Sequence, residues 1–277
     1  MTDPIDAAAC LGSHDVLLLT IDTLRFDVAA AALDRGETPN LASLLPGGRW
    51  ERRHSPASFT FAAHQAFFAG FLPTPIAPRE RDPAGHDRLV AARFPGSETS
   101  GSGTLVFDAP DIVTGLAGHG YRTICIGGTG FFNKRSPLGS VLPALFHESW
   151  WDESLGVTCR SSAANQVARA VERIEAQPRG QRLFVFVNIA ACHPPHHFYR
   201  GEGQPDTVES QRAALADVDR HLPPLFEALR RRAPLLAVLC SDHGTAFGED
   251  GYHGHRIGHP SVWEVPYAQT VLPAVAR

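Results

Sequence analysis

Long apolar runs are missing from this sequence. No stretch approaches the ~20 residues that a membrane-spanning helix needs, so no helical span is expected. The first residues, Met1-Thr-Asp-Pro-Ile-Asp-Ala, lack the basic start and apolar core of a secretory leader. Lysine is nearly absent, Lys134 being the single one, and arginine carries the positive charge. With Lys and Arg at 25 against 29 Asp and Glu, the net charge is −4, and nothing favours nucleic acid or an anionic membrane as a partner. The five cysteines, Cys10, Cys125, Cys159, Cys192 and Cys240, are odd in number and include no CxxC pair. That pattern excludes a disulfide framework and a thiolate zinc site. Together with the absent leader, it gives the expectation of a reduced, cytoplasmic protein.

What is present is an alternation of buried strands and amphipathic helices. Continuous apolar runs at 15–22, 121–126, 183–190 and 234–239 have the length and branching of strands covered on both faces. Between them lie helical patterns, among them Phe61–Ala69 closed by Gly70, and 165–176 with Val167, Val171 and Ile174 on one face. Thr38 is read as a helix cap before Pro39, and Asp206-Thr-Val-Glu209 as a capping box. Residues 264–272 form a last strand, and 129–160 read as irregular. The stretch 72–103, rich in Pro, Gly and Arg, reads as a loop or lid excursion from a single domain spanning 1–277. The expected fold is α/β, a three-layer sandwich around a mostly parallel sheet. In such folds chemistry collects at the carboxyl ends of the strands.

Three strand ends carry candidate ligands. The first ends on Asp22. The third runs into Cys192-His-Pro-Pro-His-His197. The fourth runs into Ser241-Asp-His-Gly, followed by His253, His255 and His259 among glycines. Carboxylates and imidazoles together suit a divalent metal, with zinc favoured by the mixture and manganese or magnesium by carboxylates alone. The plainer alternative is a polar, Gly-rich surface loop. Thr60 stands at a helix start, where free N–H groups favour an oxyanion, and His64 shares its face one turn on. Taken alone, Thr60 would be read as a cap. His196 fits a surface position in a Pro-rich loop as well as any other.

The motifs L-L-L-T-I-D-T-L-R-F-D at 17–27, T-P-N-L at 38–41, T-F-A-A-H-Q-A-F-F-A-G at 60–70, S-D-H-G at 241–244 and V-P-Y at 265–267 follow one order along the chain. In that order the sequence resembles the alkaline phosphatase/sulfatase superfamily of metallohydrolases. The resemblance implies that Asp22, Asp242 and His243 ligate one metal, with Thr60 as nucleophile. Where sulfatases carry a Cys or Ser converted to formylglycine, this chain has Thr60-Phe-Ala-Ala-His64. It is therefore closer to the threonine-using phosphodiesterase branch. That branch holds a second metal through Asp-x-x-x-His and a later histidine. Here His193 and His197 stand at the first pair, a His replacing the Asp, and His255, with His253 next, is the candidate for the last. Alternatively His193 binds substrate and one metal suffices.

The resemblance implies a metal-dependent hydrolase or transferase of phosphate esters, with Thr60, His64 and His193 as catalytic residues, one or two zinc ions and a small-molecule ester substrate. A sulfatase- or phosphonate-type hydrolase and a non-catalytic metal-binding protein on the same fold are the alternatives. Asp27, Arg25 and Glu249 are expected to be structural.

Overall fold

Seven segments pair into one sheet in a computed structural model that describes residues 5–70, 89–91, 104–106, 111–201 and 203–275. They are β1 (Asp15–Ile21), β2 (Glu51–His54), β3 (Arg122–Ile126), β4 (Glu148–Trp150), β5 (Leu183–Ile189), β6 (Leu235–Cys240) and β7 (Glu264–Leu272). Their spatial order is β2-β7-β6-β1-β5-β3-β4. The five strands from β6 to β4 run parallel, and β7 lies antiparallel to both β6 and β2.

Alternating side chains along each strand feed both faces of the sheet. Leu17, Leu19 and Ile21 of β1, with Val185, Val187 and Ile189 of β5, pack under the helices Phe26–Asp34, Ser162–Glu175, Val208–His221 and Pro223–Arg230. Phe184 and Phe186 of β5, with Cys125 of β3, face the other way. There they meet Phe68 of the helix Thr60–Ala69 and Val113 and Leu116 of the helix Ile112–Gly118. The result is the expected α/β fold with helices on both sides of a mostly parallel sheet. Each such fully buried side chain is worth about 1.5–3 kcal/mol. Two or three of them offset the several kcal/mol that keeping one ion dry costs.

Register places the chemistry. Thr20 pairs with Asn188 on one side and with Cys240 on the other. Two residues beyond the Thr20–Cys240 pair, both chains carry an aspartate, Asp22 and Asp242.

Several local expectations are corrected. Thr38 makes no capping bond. The backbone N–H groups of Asn40 and Leu41 instead donate to the Asp219 carboxylate, at 3.2 and 2.7 Å. The capping box is formed by Thr207 and Ser210, leaving Asp206 to accept from the N–H groups of His196 and His197. Within 129–160, Glu148–Trp150 is a strand, because Ile124, Cys125 and Ile126 of β3 offer it a parallel edge. The 72–103 excursion lies outside the described residues except for Leu89–Ala91, which pairs in parallel with Thr104–Val106. Among the described residues no helix is long and apolar enough to cross a membrane.

Candidate active site

The ends of β1 and β6 and the first residue of the Thr60–Ala69 helix meet at one point. Asp22, Asp242 and His243 are fully buried, and Thr60 is 2% exposed. One possible ligand atom from each of Asp22, Asp242 and His243 lies within 4.8 Å of the others, which makes them a group of metal-ligand type among the described residues. The Thr60 hydroxyl is 3.4 Å from Asp22 Oδ2 and 3.3 Å from His243 Nε2.

The spare valences of these groups fit a cation. Asp22 Oδ1 and Asp242 Oδ2 are buried acceptors with no hydrogen-bond partner, an expensive arrangement unless something positive faces them. His243 Nδ1 donates to the Gly244 carbonyl at 2.8 Å, so its Nε2 presents a lone pair toward Thr60. Burial, then the charge of Asp242, raises the Asp22 pKa to about 6. Burial raises Asp242 to about 7, against backbone N–H groups from Thr23 and His243 that favour its charged form. Two buried carboxylates side by side hold each other's ionisation back, and a bound divalent cation relieves that conflict.

Asn188 orients this group. Its Nδ2 donates to Asp22 Oδ2 at 3.1 Å and to Thr20 Oγ1 at 3.2 Å, which leaves Asp22 Oδ1 as the free oxygen. Sequence reasoning missed Asn188. Its signal was available, a lone polar residue inside the apolar run Leu183–Ile189.

His64 is close by but turned to other partners. Its Nδ1 donates to the Thr60 carbonyl at 2.7 Å, and its Nε2 accepts from Thr20 Oγ1 at 3.1 Å. Four aromatic rings surround it, Phe67, Phe68, Phe132 and Phe186. Burial pushes its pKa down to about 3 and keeps it neutral. With both nitrogens occupied, His64 holds the Thr60–Ala69 helix to the sheet and has no free valence for proton transfer.

The remaining histidines divide. His255 lies with its ring 4.7 Å from that of His243 and 5.8 Å from that of His193. His193 Nδ1 contacts the Pro194 carbonyl, which leaves Nε2 available. Burial, then its imidazole neighbours, lowers His255 to about 4. His197 is not brought to this cluster: it opens a short 3-10 turn with Nδ1 3.4 Å from Asp206. The expected His193–His197 metal pair is therefore corrected: neither histidine belongs to a metal-ligand group among the described residues, and Asp206 accepts from the His197 N–H and lies against its Nδ1. His253 is exposed on a two-residue ribbon with Phe247, and His259 caps the helix Pro260–Trp263. Of the three later histidines, the structure brings His255 to the site. His196 is corrected from the surface to the interior, where Nδ1 meets Ser210 Oγ at 2.8 Å and the ring abuts Phe247.

Arg25 ties the site's outer loop down. It pairs with Asp27 at 2.7 Å and with Glu249, which in turn accepts from the Phe247 N–H. This is the structural role expected of all three.

The family model described as Sulfatase matches residues 14–268. No curated protein sequence matches the chain. Among solved structures, the integral membrane lipooligosaccharide phosphoethanolamine transferase A from Neisseria meningitidis is similar at a TM-score of 0.61 and 15% identity, over 95% of this chain and 48% of that one. The chain thus spans about half the length of that transferase. The zinc complex of the C-terminal periplasmic domain of EptC from Escherichia coli is similar at 0.61 and 12% identity, over 94% of this chain and 73% of that one. The lipoteichoic acid synthase LtaP from Listeria monocytogenes is similar at 0.61 and 13% identity, over 100% of this chain and 69% of that one. At such identities the likeness concerns the fold.

Two expectations change. The cytoplasmic expectation is contradicted: solved structures with this fold include C-terminal periplasmic domains of EptC from Escherichia coli and Campylobacter jejuni. All five cysteines are free thiols, four of them buried. The neighbours' names concern lipooligosaccharide and lipoteichoic acid, so likeness of fold gives no support to a small-molecule ester in particular. The EptC domain is a zinc complex, and the Asp22–Asp242–His243 group here has the donor set for a divalent ion. The chain belongs to the sulfatase family.

Proposed function

We propose that this protein is a metal-dependent phospho-group transferase or phosphoric ester hydrolase in which Thr60 is the nucleophile. The observation that carries this is the Thr60 hydroxyl lying 3.4 Å from Asp22 and 3.3 Å from His243, beside two buried carboxylate oxygens that lack a partner. Asp22, Asp242 and His243 would hold a divalent ion, zinc by their donor types, with Thr60 at its edge. Such an ion lowers the pKa of a ligated hydroxyl and offsets charge on a phosphoryl group.

The chain's own groups do the rest. Asn188 fixes Asp22, and His64 fixes the first turn carrying Thr60. Thr60 Oγ, its proton released to solvent water, forms a bond to phosphorus as the ester oxygen leaves with its electron pair and takes up a proton from water. The resulting phosphothreonine passes its phospho group to water or to an acceptor hydroxyl, restoring Thr60. His193 and His255, with ring centroids 5.8 Å apart, would hold the non-bridging oxygens or the departing oxygen.

Formylglycine-dependent sulfate hydrolysis is the weaker reading, since that cofactor is made from Cys or Ser and Thr60 occupies the position. Thr60→Ala should abolish turnover of an aryl phosphate diester while zinc content by elemental analysis stays unchanged. Retained turnover would remove Thr60 from the chemistry.

A further inference from the structure

Arg256 follows His255 directly, and its backbone lies at φ 69°. That left-handed conformation is unfavourable for any residue with a Cβ, and such strain collects at sites of function. The Arg256 N–H donates to the Ser58 carbonyl at 2.9 Å, two residues before Thr60. Its guanidinium carbon stands 5.0 Å from the ring centroid of Phe59, the residue that precedes Thr60. Phe59 in turn lies 6.5 Å from Phe131.

Among the described residues Arg256 meets an aromatic face and no carboxylate, and it is exposed. Arg25 makes the contrast: it is buried and consumed by Asp27 and Glu249. A permanent cation without an acid partner is thus pinned to the segment that delivers the nucleophile and to the loop that delivers His255. An anionic group elsewhere on a substrate has Arg256 to turn to.

We propose that Arg256 is a specificity-determining residue that selects phosphate esters bearing a second acidic group, a carboxylate or further phosphate, beyond the reacting phosphorus. This rests on the phosphoric ester reading above.

Binding of unreactive ligands tests it apart from turnover. Phenylphosphonate and 4-carboxyphenylphosphonate share the phosphonate and differ in the second acid. Both are titrated calorimetrically into the zinc-supplemented full chain and into Arg256→Gly, which removes the guanidinium but suits the left-handed backbone. Wild type should prefer the carboxylated ligand by roughly tenfold, and Arg256→Gly should lose that preference while phenylphosphonate binding stays within about twofold. Arg256→Lys should keep part of the preference. A preference that survives in Arg256→Gly, or equal weakening of both ligands, overturns the assignment to Arg256. So does a wild type that binds both ligands alike. Failure of wild type to bind phenylphosphonate at all overturns the phosphoric ester reading itself, and this inference with it.

Discussion

Asp22 and Asp242 stand at equivalent positions on neighbouring parallel strands, each two residues past the paired Thr20 and Cys240. Register alone therefore delivers two carboxylates to one point, and burial makes each unhappy with the other's charge. Asp22, Asp242 and His243 sit within three residues of the ends of β1 and β6, while His193 and His255 arrive on loops further out.

Asn188 is the support on which this geometry leans most. Asn188→Ala removes the amide donor from Asp22 Oδ2, leaving only the longer Thr60 contact, and the carboxylate can then rotate away from Asp242. Zinc affinity, measured by competition with a chromogenic chelator, should fall about 10–100-fold, as for other groups that orient metal ligands. An unchanged affinity would show that Asp22 is oriented by something else.

Removing one carboxylate charge should have opposite effects with and without metal. Asp22 and Asp242 have folded-state pKa values raised from 3.8 to about 6 and about 7. A raised acid contributes stability below its unfolded pKa, and this is lost as pH rises through the folded value. In chelator, wild type should therefore lose thermal stability relative to Asp242→Asn between pH 3.8 and about 7, and no further above. Comparison with the variant matters, because the lowered pKa values of His64 and His255 push stability the other way with pH. Added zinc should reverse the order, since only wild type offers both carboxylates. A variant that melts below wild type in chelator at pH 8 would contradict this.

Much of this was legible in the chain. Asp22, Asp242 and His243 announce themselves because a continuous apolar run that ends on an acid marks the exit of a buried strand. Glu51–His54 gave no such sign: all four side chains are exposed, and backbone pairing with β7 alone makes them a strand. His196 and His197 are adjacent and chemically identical, yet one is buried and the other is not. The choice is made by Asp206, nine and ten residues away, accepting from both their N–H groups. Likewise the helix at Pro39 is capped by Asp219 rather than by Thr38, a contact no local pattern encodes.

His64 offers a test of positioning against proton transfer. His64→Phe should fit the surrounding aromatic nest but lose the bonds to Thr60 and Thr20. Stability should fall by about 1–3 kcal/mol, and kcat should fall as Thr60 shifts. The shape of the kcat–pH profile between pH 5 and 9 should not change, because burial holds the imidazole near a pKa of about 3. Loss of one limb of that profile would give His64 a titrating role instead.

Thr60 as the covalent acceptor is tested most directly by rapid acid quench during turnover of an aryl phosphate diester, followed by peptide mass spectrometry. One phosphoryl ester should be found on Thr60, and in no other peptide, with its yield falling when zinc is withdrawn. A turning-over enzyme with unmodified Thr60, or with the phospho group on another residue, would contradict the assignment.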